Sequence, residues 1–232
     1  MRDRRLFTMV ALVVSLALAS ALCIGAVEVR IRHTHGSSYR FLDWNLFLAW
    51  LPLLFALAAY AASRRKSGAL TGVFGLLWLL FFPNAPYMLT DFIHLRESST
   101  TPLWYDGLMI SSFAWTALLL GFVSLYVMQT IWRRAVGAVA AWLAVVAALA
   151  LGSLGVYIGR FVGYNSWDAL LHPVVLARLL DAQLRDPLHD PRLEETVIVL
   201  TSFLAVAYTA FYSATNLHLS GRSLSSGPPN PE

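Results

Sequence analysis

Charge is scarce in this chain. Asp, Glu, Lys and Arg make up 13% of its 232 residues, roughly half their share in soluble domains. A soluble fold of this size would lack the polar surface to cover itself. Cysteine is almost absent as well: Cys23 stands alone, which excludes an internal disulfide and a cysteine-based zinc site. No Lys/Arg run exceeds Arg64-Arg65-Lys66, so the net charge of +4 reads as loop charge that sets membrane orientation. A nucleic-acid partner is not expected. His-Glu-x-x-His, Gly-x-Ser-x-Gly and the phosphate-cradling loop are all missing, and no cofactor is implied.

What is abundant is apolar sequence in long runs. Apolar residues reach 58% and gather at about 6–27, 42–62, 69–89, 107–132, 135–158 and 196–217. Each run is at or above the length of about 20 residues that a spanning helix needs. The predicted fold class is all-α: a polytopic membrane bundle of six transmembrane helices over residues 1–219, then a Ser/Gly/Pro-rich, disordered cytoplasmic tail at 220–232. The first run opens like a signal peptide, and Ala19-Ser20-Ala21 is an acceptable cleavage pattern. It continues to Val27, however, longer than a signal core, and reads as a retained span. Arg64–Lys66 and Arg133-Arg134 lie in the shortest connections. The positive-inside bias then puts both termini in the cytoplasm, in a bacterial inner membrane. After Gly159 comes a long outer connection in which Pro173–Arg185 has the spacing of an amphipathic interfacial helix, or of one packed on the bundle.

The unusual polar residues gather on the outer side. Pro83-Asn84-Ala85-Pro86-Tyr87 interrupts the third span, where two prolines deprive the carbonyls of Leu79 and Phe82 of their helical donors. Broken backbone in lipid needs cover from protein or a watery cavity. Asn84 is the nearest side chain that could repair it. The break reads either as a packing kink or as a discontinuous helix lining a polar pocket. If the α-helix resumes, Asn84, Tyr87, Asp91 and His94 project within about 80° of one another. Asp91 near the C-terminal end of its span opposes the helix dipole and calls for a partner: Arg96, Arg160, His94 or a bound cation. Asp43, Asp106 and Asp168 read as caps of outer helix N-termini. Trp44, Trp104, Tyr105 and Trp167 fit an interfacial aromatic belt. Gly155 and Gly159 have the spacing that lets another helix approach closely.

Catalytic signals are thin. Asp91-x-x-His94 supplies two potential metal ligands, with Asp106 or His172 as a third, which is a weak pattern, and no metal is expected. Ser111 and Ser112 stand within possible reach of His94, but serines in helices usually bond back to the preceding turn. A transporter would need polar access from the cytoplasmic side. Only Tyr208, Tyr212, Asn216 and the Thr/Ser residues of the sixth span are available there.

Several blocks carry a resemblance: Arg40-Phe-Leu-Asp-Trp-Asn-Leu-Phe-Leu-Ala-Trp50, Leu80-Phe-Phe-Pro-Asn-Ala-Pro-Tyr-Met-Leu-Thr-Asp-Phe-Ile-His94, Trp104-Tyr-Asp106, Ser112-Phe-Ala-Trp115 and Gly159-Arg-Phe-Val-Gly-Tyr-Asn-Ser-Trp-Asp168. Over about residues 40–215 the chain resembles the bacterial membrane proteins called domain of unknown function 1361. That resemblance implies a fold and a location but no reaction, and it brings no catalytic residues with it.

The resulting expectation is an outer-side polar pocket lined by Asn84, Tyr87, Asp91, His94 and Arg160, with Asp43, Asn45, Asp106, Asn165 and Asp168 at its rim. It would bind a lipid head group, an envelope precursor or a partner membrane protein. The alternatives are a membrane-embedded hydrolase or transferase using Asp91 and His94 and, third, a small-solute transporter.

Overall fold

The computed structural model describes residues 2–95, 101–163 and 191–220. Among them there is no strand, and six helices are long and apolar enough to cross a membrane. The fold class is the expected one. In chain order the helices are α1 (Arg2–Thr34), α2 (Phe41–Arg64), α3 (Gly68–Phe81), the single turn α4 (Asn84–Tyr87), a 3₁₀ segment (Met88–His94), α5 (Leu103–Val136), α6 (Ala138–Tyr157) with a π-helical extension (Ile158–Val162), and α7 (Pro191–Ser220). The segment Pro173–Arg185 and the tail beyond Ser220 lie outside the described residues.

The axis of the bundle is α5. Of its most apolar window 72% is buried, against 11% for α7, which packs mainly on α6. Helices α1, α2 and α4 pack against one stretch of α5, and α2 also packs along α3. Lipid tails are as apolar as the helices, so association depends on close packing and hydrogen bonds. Both are visible. Ala49, Ala56 and Ala59 of α2 are completely buried. Ser124 accepts a bond from the Trp78 indole at 3.0 Å, and Ser20 one from the Trp50 indole at 3.1 Å.

Tight turns fix the two ends. Arg64, Arg65 and Lys66 close α2, while Arg133 and Arg134 close α5 ahead of Gly137, whose φ of 86° turns the chain into α6. The Arg134 guanidinium lies 5.4 Å from the Tyr60 ring centre, so both clusters share one end of the bundle, here the basic end. Asp43, Asp91, Asp106 and Arg160 occupy the opposite, polar end.

Two boundaries differ from expectation. The first span runs as helix to Thr34 rather than ending at Val27, carrying Glu28 and Arg30 within it. The third does not resume as an α-helix after Pro86: it tightens into the 3₁₀ segment. Asn84 does repair the break, but at a different carbonyl. Its Nδ2 donates to Phe81 O at 2.8 Å, while Ala85 N–H takes over Phe82 O at 3.2 Å.

Candidate functional site

The broken turn is seated by missing side chains on its neighbours. A Cβ built on Gly155 of α6 would stand 2.5 Å from Pro83, one on Gly152 2.9 Å from Phe82, and one on Gly121 of α5 2.8 Å from Ala85. Such contacts are shorter than side chains tolerate, so these three glycines make room for the Pro-Asn-Ala-Pro turn. With the turn wedged between α5 and α6, the 3₁₀ segment is delivered to the polar end. At three residues per turn, Asp91 and His94 are eclipsed.

Both meet Arg160, which the π-helical extension presents. Arg160 Nη2 pairs with Asp91 Oδ1, its Nε donates to Thr90 Oγ1 at 2.8 Å, and its Nη1 lies 3.2 Å from His94 Nε2. The guanidinium also lies over the Tyr87 ring, 4.3 Å from its centre. Asn45 Nδ2 donates to Asp91 Oδ2 at 3.2 Å. Asp91 is 1% exposed, and both of its oxygens are engaged. Of the partners considered for Asp91, Arg160 bonds it, while Arg96 lies outside the described residues. Tyr87, Asp91 and His94 all meet Arg160, brought there by the 3₁₀ segment and not by the resumed α-helix on which the expected stripe depended, while Asn84 serves the backbone. Asn165, Asp168 and His172 lie outside the described residues.

Asp106 belongs to a second cluster. Arg30 donates Nε to Asp106 Oδ1 at 2.7 Å and Nη2 to Oδ2 at 3.0 Å, a two-pronged pair with side chains 7% and 1% exposed. The Arg30 guanidinium lies 4.3 Å from the Tyr39 ring centre. Expectation had Asp106 capping α5, yet the N-cap is Pro102 and no side-chain cap bond forms there. A buried arginine one helix away outcompetes the exposed N–H groups, since a desolvated carboxylate is best satisfied by a fixed guanidinium fork. Asp43 does not cap α2 either: the N-cap is Arg40, and Asp43 Oδ1 is buried with no hydrogen-bond partner among the described residues. The sequence reading missed Arg30 by ending the first span early. No local signal sets it apart, because Glu28, Arg30, Arg32 and His33 follow Val27 together and read as loop charge.

The two clusters repeat one arrangement, an arginine ion-paired to a nearly inaccessible aspartate and laid over a tyrosine. They are joined, for Tyr39 donates its hydroxyl to the His94 carbonyl at 2.9 Å. Tyr105, expected as a belt anchor, instead donates to the Ala26 carbonyl of α1 at 2.9 Å, whereas Trp44 and Trp104 are exposed as a belt requires. Ser111 and Ser112 bond back to Gly107 and Leu108 carbonyls at 2.7 and 2.8 Å.

Beside the second cluster the surface opens into a cavity of about 320 Å³. Arg30, His33, Thr101, Trp104 and Tyr105 line it. Among the described residues Arg30 Nη1 makes no hydrogen bond, because Asp106 takes Nε and Nη2. No group of three or more metal-ligating side chains occurs among the described residues.

Residues 44–211 match the family described as Protein of unknown function (DUF1361). The chain belongs to that family. This DUF1361 protein has the multi-pass, membrane-like architecture that the resemblance implied. The matched region holds the first cluster and Asp106, while Arg30 and Tyr39 precede it. No curated protein and no solved structure matches.

Proposed function

We propose that this DUF1361 protein is a binding protein of the membrane surface. Its polar end faces away from the cytoplasm and receives the anionic head group of a lipid or lipid-linked envelope precursor. The observation that carries the reading is the cavity bordered by Arg30, with aromatic Trp104 and Tyr105 beside it. Asp106 and Tyr39 hold the guanidinium in place. It arrives oriented, and Nη1 is left to donate to phosphate or carboxylate oxygens. Trp104 at the rim supplies the amphipathic face that head groups meet. Asn84, Tyr87, Asp91, His94, Arg160 and Asn165 are proposed as a neighbouring part of the same site, linked to the Arg30 cluster through the Tyr39–His94 hydrogen bond.

The geometry favours this over an acid–base enzyme. Both Asp91 oxygens are already taken, and Asp91 is nearly inaccessible, which suits a positioning role better than proton transfer. A transporter finds less support at the basic end: Tyr208 bonds Gln129 at 2.7 Å, Tyr212 accepts from Arg133, and Asn216 donates to Tyr212 O at 2.8 Å.

The test is calorimetric titration of the detergent-solubilised chain with short-chain phosphatidic acid and, separately, short-chain phosphatidylcholine. Saturable binding of the anionic lipid, weakened at least tenfold by Trp104→Ala, is expected. Equal affinity for both lipids, or no binding at all, contradicts the proposal.

A further inference from the structure

A second opening lies in the half of the bundle nearer the basic end. It is a groove of about 350 Å³ between α1, α2 and α4's partner α5, walled by Leu16, Leu53, Leu57 and Val123 and ending at Tyr60 and Thr130. Its volume falls in the range of small-molecule sites, about 300–1,000 Å³. Its walls are apolar through most of their length, as an acyl chain requires.

The rim has the opposite character. Tyr60, which lines the groove, is the ring that Arg134 lies over. That contact holds a guanidinium at the groove mouth. Arg64, Arg65, Lys66, Arg133 and Arg134 are all exposed around the same end. None of them forms an ion pair among the described residues. An apolar groove that opens beneath basic side chains without ion-pair partners among the described residues matches one occupant by both polarity and charge. Basic pockets between spanning helices on the cytoplasmic side bind anionic head groups, with about 1 kcal/mol of attraction per basic residue near the surface.

We infer that this groove is a binding site for one anionic phospholipid of the cytoplasmic leaflet. An acyl chain lies between Leu16, Leu57 and Val123, and the phosphate meets Arg134 and its basic neighbours. The site is separate from the cavity at the polar end and shares no residue with it.

The test is native mass spectrometry of the full chain, extracted in mild detergent and equilibrated with equal amounts of phosphatidylglycerol and phosphatidylcholine of matched chain length. Wild type is expected to retain phosphatidylglycerol at least fivefold over phosphatidylcholine. Arg134→Gln, a change on an exposed side chain, should weaken the retained lipid about fivefold. Leu57→Trp should displace it by filling the slot. Loss of lipid on Arg30→Lys reports the polar-end cavity instead, so the two sites are told apart. Equal retention of both lipids, unchanged retention in Arg134→Gln, or a second copy of the chain seated in place of lipid overturns the inference. If Leu57→Trp does not fold, Arg134→Gln still decides.

Discussion

Arg160 and Arg30 show why intramembrane charge has to be read in pairs. Each is a cation that hydrocarbon would reject alone, and each is held by an aspartate 1% exposed. Removing one partner strands the other. Arg160→Gln should therefore cost about 3–5 kcal/mol, while Arg160→Gln combined with Asp91→Asn should recover much of that loss. Thermal unfolding of the purified variants in detergent checks both values. Identical melting for single and double variants would mean that the pair is not coupled. Asp91's need for a partner was legible from its position against the helix dipole, and Arg160 was among the partners considered. Arg30 was not legible, because residue counting ended the first span at Val27 and left the arginine in a loop. Asp106 was misassigned for the same reason: with Arg30 out of sight, capping was the best remaining use for an aspartate at a helix start.

At the level of elements, the third span is where sequence reasoning reached furthest and then stopped. The two prolines announced a break, and Asn84 was correctly named as its repair. Which carbonyl it reaches depends on the 3₁₀ tightening that follows, and that comes from packing between α5 and α6, not from local propensity. The glycines on those helices carry the packing. Gly155→Ala would drive a methyl into Pro83 and should destabilise the protein by about 1–3 kcal/mol. Gly72→Ala, where nothing lies within 4 Å, should be close to neutral. Comparison of their melting temperatures is the check, and equal temperatures would remove the wedge from the explanation. Of the small-xxx-small pair, Gly155 is such a packing point, although what it meets is a proline turn and not a straight helix.

For the whole molecule, the number and class of spans followed directly from run lengths, since a bilayer sets one dominant length scale. The burial ranking of the helices did not. Hydropathy points the other way, since α6 is more apolar than α5, yet α5 is the axis of the bundle and α7 the least buried of the six spans. Orientation remains a prediction of charge density. With Cys23→Ala as background, a single cysteine at Ser37 should react with a membrane-impermeant maleimide on intact cells, and one at Ser67 only after lysis. The reverse pattern would place the polar end in the cytoplasm and the basic groove outside.

Arg30 is proposed to bind a ligand as well as to hold Asp106. Arg30→Lys separates the two roles, because an ammonium can still neutralise Asp106 but has no planar fork with donors to spare. The decisive measurement is the affinity of this variant for short-chain phosphatidic acid beside its melting temperature. The prediction is affinity lowered at least tenfold with melting shifted by only a few degrees (roughly 1 kcal/mol). Unchanged affinity in a variant that melts normally would contradict it and leave the Arg30–Asp106 pair a structural fastening.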